Sequence, residues 1–251
     1  MSTSVLSTRN LQKKFGQLVV ARDISIDLPK GARYALIGPN GAGKTTLINL
    51  LTGMLAPDGG QVFLDEADIT TLPPSERVKR GLVRTFQINT LFPNISPLEA
   101  VTLVVCERKG EAGTWWRGLP GYGASIEEAY ETLKSIGLGD HVDRPTRQLA
   151  YGQQRLLEIA LALATKPHVL LLDEPAAGVP KGESQELFTA IAGLSSDISI
   201  LFIEHDMDVV FRFASRIIVM VSGGILVEGA PAEISADKRV HEVYLGSAHH
   251  A

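Results

Sequence analysis

Residues 38–46 read GPNGAGKTT and fit G-x-x-x-x-G-K-[ST], after an apolar run, YALIG (34–38), and before a helix-forming one, KTTLINLLTGM. No other stretch constrains the fold so tightly. Its glycines let successive backbone N–H groups face a phosphate chain, and the helix that follows adds its free N-terminal N–H groups. Lys44 supplies a positive charge and Thr45 a hydroxyl suited to Mg2+. A phosphate loop of this kind needs a strand behind it and a helix in front, and both patterns are present.

Two further runs, HVLLLDEP (168–175) and ISILFIEHD (198–206), are almost continuously apolar and end in acids. Strands that are apolar on both faces belong in the middle of a parallel sheet covered by helices. Asp173, Glu174 and His205 then fall at the carboxyl ends of those strands, where open α/β sheets bind ligands. An Asp at such an end can hold Mg2+ through water, and a Glu beside it can orient or deprotonate an attacking water. Near the N-terminus, VLSTRNLQKKF and QLVVARDISIDL alternate as half-buried antiparallel strands do, and QVFLD (61–65) reads as another strand. RIIVMVSGGILVEG predicts a hairpin with SGG as its turn.

The middle, roughly 73–150, is mostly helical in pattern. PPSERVKRG predicts a short helix with a Pro start, and SPLEAVTLVVCERK one with Ser96 as N-cap and Pro97 at N1. SIEEAYETLKSIGL predicts an amphipathic helix ending at Gly137. Between them, 111–125 reads as an irregular loop or insertion carrying Trp115 and Trp116, either a solvent loop or a surface contact of the kind Trp favours at a lipid interface.

Composition sets the outer limits. The chain has 251 residues, 45% hydrophobic and 21% charged, enough to bury a core. A net charge of −4 argues against a nucleic-acid binder, which needs clustered Lys and Arg. The single cysteine, Cys106, cannot form an internal disulfide and reads as a buried thiol. Residues 1–20 lack a signal-peptide layout, and no window approaches the roughly 18 apolar residues of a membrane span.

LAYGQQR (149–155) completes the set. GPNGAGKTT, LAYGQQR, LLLDEP and IEHD, in that order, resemble the nucleotide-binding subunit of an ABC transporter, over about 5–246. The resemblance implies an α/β P-loop NTPase core with a mixed, largely parallel sheet, an N-terminal antiparallel β part and a helical subdomain. It implies one domain over 1–251, with 1–86 plus 160–251 as core and 87–159 as the helical part. It places ATP on Gly38, Pro39, Asn40, Gly41, Ala42, Gly43, Lys44, Thr45 and Thr46, with Phe15 stacked on adenine. Mg2+ falls to Thr45, Gln87 and Asp173, and catalysis to Glu174, His205 and Gln87. LAYGQQR resembles the signature sequence, so Ala150, Tyr151, Gly152 and Gln153 are expected to meet the γ-phosphate of ATP held by the opposite subunit. The helix start, with Gly152 allowing close approach, suits an anion.

Local wording narrows the resemblance. GLVRTFQINTLFPNISPLEAV, DEPAAG, EHDMDVVF and DKRVHEVYLG resemble the longer ATPase subunit of importers for branched-chain and other hydrophobic amino acids. The partners implied are two transmembrane permease subunits, a second ATPase subunit and, indirectly, a periplasmic substrate-binding protein; no nucleic acid is expected. The implied location is peripheral, on the cytoplasmic face of the inner membrane. Importers of urea or aromatic acids, a lipopolysaccharide exporter and non-transport ABC ATPases are the alternatives. Two departures stand out. The usual signature serine is Ala150, and the usual Asp or Asn after DEP aligns with Pro180. Both fall on the ATP held by the partner, which predicts an asymmetric heterodimer rather than a homodimer.

Overall fold

The computed structural model describes residues 4–85, 91–111 and 122–246. They divide into two compact units: Met1–Arg84 with His168–Pro175 and Ser196–Ala251, and Thr85–Pro167 with Ala176–Ser195.

The first unit carries two sheets. In the larger, the strand order is β11-β10-β4-β9-β8-β7 among the described residues, with β4 Arg33–Ile37, β7 Leu82–Arg84, β8 Val169–Asp173, β9 Ser199–Ile203, β10 Arg216–Val221 and β11 Gly224–Gly229. Neighbours from β10 to β7 run parallel, and only β11 is antiparallel. All five positions of β8 and of β9 are buried, as their unbroken apolar wording requires. The hairpin forms as expected, with Ser222 and Gly223 both at positive φ; Gly224 already belongs to β11.

The second sheet is antiparallel. β1 Ser4–Phe15 pairs with β2 Leu18–Ile24, β3 Asp27–Pro29 and β5 Gly59–Leu64, and β6 Ala67–Asp68 extends β5. QLVVARDISIDL, expected as one strand, is two. Asp23 sits at φ 51 and the ladder breaks after Ile24, so β2 pairs with the far half of β1 and β3 with the near half. One apolar cluster, with Leu6, Leu28 and Leu64 from this sheet and Leu36, Leu171 and Ile218 from the other, joins the two. Helix α1 Lys44–Thr52 adds Leu47, Ile48, Leu50 and Leu51 to it.

The last carbonyls of α1 meet an unusual partner. Arg77, from α2 Pro74–Lys79, is 1% exposed. Its guanidinium donates to the carbonyls of Leu50, Leu51, Thr70 and Leu72 at 2.6–2.9 Å. Carbonyls at a helix end have no intrahelical donors, and the planar guanidinium satisfies several at once. Burial pushes Arg77 below the usual arginine value.

The second unit is helical: α3 Pro97–Arg108, α4 Gly123–Ser135, α5 Tyr151–Ala164 and α6 Lys181–Ala192. Ser96 and Glu99 form the expected reciprocal cap, with Pro97 at N1. α4 begins at Gly123, so the loop reading of 111–125 ran too far. Ser125 is buried, donates to Glu111 and accepts from Lys109, which ties the first turn of α4 to the end of α3. Trp115 and Trp116 lie outside the described residues. Glu128 of α4 holds Arg108, Lys109 and Lys166 together. In the first unit, α7 Met207–Phe213, α8 Pro231–Ala236 and α9 Lys238–Gly246 complete the chain.

Candidate active site

β4, β9 and β8 are neighbours, and the chain leaves each at its carboxyl end into a chemically loaded turn. β4 leads to the phosphate loop, which enters α1 through Gly43. That residue has φ 102, and a Cβ there would stand 2.6 Å from the Val20 carbonyl oxygen, so only glycine fits. The hairpin turn braces the loop from behind, with the Gly223 N–H donating to the Ala42 carbonyl at 2.9 Å. No side chain caps the N-terminus of α1, and its first turn holds no acid. Its orphan N–H groups and the positive end of its dipole therefore remain for an anion.

Lys44 is 7% exposed and donates to the carbonyls of Gly38, at 2.7 Å, and Pro39, at 3.2 Å. Burial pushes its pKa down, while the charges of Glu174 and Asp173 pull it back up. The three groups thus share one electrostatic neighbourhood. Thr45 follows, with an exposed side chain.

β8 delivers Asp173, which is 3% exposed. One of its oxygens accepts from Arg84 at 2.6 Å; the other, Oδ1, is buried with no hydrogen-bond partner among the described residues. Arg84 ends β7 and also donates to Asn49 of α1 at 2.7 Å. Neither Arg84 nor Asn49 stood out in the sequence. The one available signal was the position of Arg84 just ahead of the RTFQ glutamine.

Glu174 follows at φ 49, a left-handed conformation that costs a side-chain-bearing residue energy. Its N–H donates to the Ile203 carbonyl at 3.1 Å, which fixes the turn against the end of β9. Its Oε1 lies 2.9 Å from Nε2 of His205, the proton placed by the imidazole tautomer. His205 sits between β9 and α7, whose N-cap Asp206 accepts from the N–H groups of Asp208 and Val209. Phe15 is 53% exposed at the end of β1, with the Lys13 ammonium 5.7 Å from its ring centre, so one aromatic face is open to stacking. Gln87 lies outside the described residues.

In the second unit, LAYGQQR opens α5 with Ala150 as N-cap. Gln153 folds back, its Oε1 accepting from the Ala150 N–H at 3.1 Å while its amide nitrogen lies 2.9 Å from Nε2 of His141. Tyr151 is 37% exposed; its hydroxyl accepts from Arg155, which pairs in turn with Glu158. The Gly152 N–H donates to the Glu183 carboxylate at 2.9 Å.

Residues 21–177 match the family described as ABC transporter, and residues 225–250 the one described as branched-chain amino acid ATP-binding cassette transporter. The high-affinity branched-chain amino acid transport ATP-binding protein LivG of Salmonella typhimurium is 39% identical, over 99% of this chain and 100% of its own length. Among solved structures, the ADP conformation of an ATP-binding cassette of an ABC transporter matches with a TM-score of 0.84 at 32% identity, covering 97% of this chain and 99% of that one. A dimeric structure of a bacterial ABC transporter cassette matches with a TM-score of 0.73 at 25% identity, covering 90% and 98%.

Proposed function

This chain belongs to the ATP-binding subunits of ABC transporters, and from that premise we propose that it powers an importer of branched-chain or other hydrophobic amino acids. ATP binding closes a pair of such subunits, hydrolysis lets it open, and the cycle shifts separate membrane subunits between their open states. The observation that carries the enzymatic part is the convergence of Lys44, Asp173, Glu174 and His205 at the carboxyl ends of adjacent strands.

In this reading residues 38–46 cradle the phosphates, and Lys44 exchanges its loop carbonyls for phosphate oxygens. Phe15 stacks on the adenine. Asp173, Thr45 and Gln87 are the residues to hold Mg2+. The buried, unpartnered Oδ1 of Asp173 supports that role, because a carboxylate and a hydroxyl are partial ligands that phosphate oxygens and water complete. Held by these residues, Mg2+ would neutralise charge on the phosphates. Glu174 orients the attacking water and accepts its proton, with Gln87 beside it. His205 holds the Glu174 carboxylate and reaches the γ-phosphate.

Ala150, Tyr151, Gly152 and Gln153 face the nucleotide of the other subunit, a reading supported by dimeric relatives of this cassette. The absent serine and Pro180 favour a second, different ATPase as the partner. Two permease subunits and, through them, a periplasmic binding protein complete the assembly. The chain sits on the cytoplasmic face of the inner membrane; no helix among the described residues is long and apolar enough to cross it. The family match spans both compact units, which supports a single cassette domain over 1–251.

The deciding experiment is uptake of labelled leucine by cells whose only copy carries Glu174→Gln. Uptake should vanish while the purified variant still binds ATP. Unchanged uptake would overturn the import reading.

A further inference from the structure

In this protein an acid or amide at the third position of a helix repeatedly folds back onto the N–H of its own N-cap residue. Glu99 does so to Ser96 at 2.8 Å, Glu233 to Ala230 at 2.7 Å, and Gln153 to Ala150 at 3.1 Å. Glu183 holds the same position on α6, but there the N-cap is Pro180, which has no N–H to offer. Its carboxylate reaches instead across 31 positions of sequence to the N–H of Gly152, at 2.9 Å.

The receiving end is vacant for a matching reason. Gly152 is the second residue of α5, and the side chain of an N-cap residue ordinarily satisfies the N–H at that position or the next. Ala150 has no oxygen to do so. The contact is close: a Cβ at Gly152 would lie 2.6 Å from Oε2 of Glu183. The two departures from the family pattern therefore lie beside the two ends of one hydrogen bond. Pro180 frees the carboxylate, and Ala150 frees the donor.

We propose that Glu183 is an autoinhibitory carboxylate, seated on the signature turn where the γ-phosphate of the partner subunit's ATP would bind, so that ATP-driven pairing waits for it to leave. This rests on the reading that the start of α5 faces nucleotide. Two anions cannot share one N–H, and phosphate must displace a charge-assisted bond before the subunits close. Removing Glu183 should strengthen phosphate binding at this turn by about tenfold.

The test has two readouts on the full chain. With glycine labelled with nitrogen-15, the Gly152 amide resonance is followed during titration with inorganic phosphate. Glu183→Ala should respond at about one-tenth of the phosphate concentration that the unaltered chain needs. Glu183→Gln, which keeps the shape and loses the charge, should fall between them and guards against a folding defect in the alanine variant. Equal responses in all three, or none in any, would remove the autoinhibitory role. The second readout is the ATP concentration for half-maximal pairing with the second ATPase subunit, measured as mass in solution in a Glu174→Gln background. Glu183→Ala should lower it. A phosphate response gained at Gly152 with an unchanged ATP requirement would instead remove the reading that α5 faces nucleotide.

Discussion

Asp173 divides its two oxygens between two positive charges. Arg84 takes one, and Mg2+ is proposed for the other. Breaking a buried ion pair leaves a carboxylate without compensation, so Arg84→Met should destabilise the protein by about 3 kcal/mol or more. A cation bound at Oδ1 would replace part of the lost charge. Mg-ATP should therefore raise the melting temperature of Arg84→Met by more than it raises that of the unaltered chain. Equal increments in a calorimetric scan would place Mg2+ elsewhere. Lys44, Asp173, Glu174 and His205 were legible in the sequence because each follows an apolar strand in a recognisable phrase. Arg84 was not, since its partner is 89 positions away and one arginine beside a short strand carries no pattern. Glu183 was hidden likewise: its role comes from what Pro180 and Ala150 lack.

At the scale of elements, α1 is anchored at its C-terminal end by the guanidinium of Arg77 on α2. Arg77→Leu would strip donors from the buried carbonyls of Leu50 and Leu51 and the part-buried ones of Thr70 and Leu72, at a cost of at least about 2 kcal/mol. Urea unfolding should show the loss as a lower midpoint with an unchanged slope. Glu128 does comparable work in the helical unit. Burial tends to push its carboxyl up, but hydrogen bonds from Lys109 and Lys166 and the charge of Arg108 outweigh that and hold it below the ordinary 4.5. A depressed carboxylate stabilises above its unfolded value, and the contribution is lost as pH falls through the folded one. Glu128→Gln should thus melt below the parent at pH 7, with the gap shrinking below about pH 4.5. A constant gap down to pH 3 would show that charge is not the cause. Strand and helix positions were readable from period and caps, as β8, β9 and the Ser96 cap show. The split of β2 from β3 was not, because it depends on Asp23 adopting positive φ. Nor was the early start of α4, which depends on the bonds of Ser125 to Glu111 and Lys109.

At the scale of the whole molecule, the proposed asymmetry predicts a rate. Ala150→Ser would restore an oxygen that competes with Glu183 for the Gly152 N–H and can meet the partner's nucleotide. One recovered hydrogen bond corresponds to an increase in turnover of the assembled transporter of up to about tenfold. Turnover indistinguishable from the parent would strip the missing serine of kinetic meaning. The Glu174 backbone carries a consequence for anyone who breeds this protein. At φ 49 that position would be more comfortable as asparagine, which tolerates the left-handed region, and Glu174→Asn should raise the melting temperature by a few degrees, at about 1 kcal/mol. The same exchange discards the proposed base. A library sorted on heat resistance alone would then enrich inactive chains at this very codon, and the hardiest survivors would be those that had stopped spending ATP.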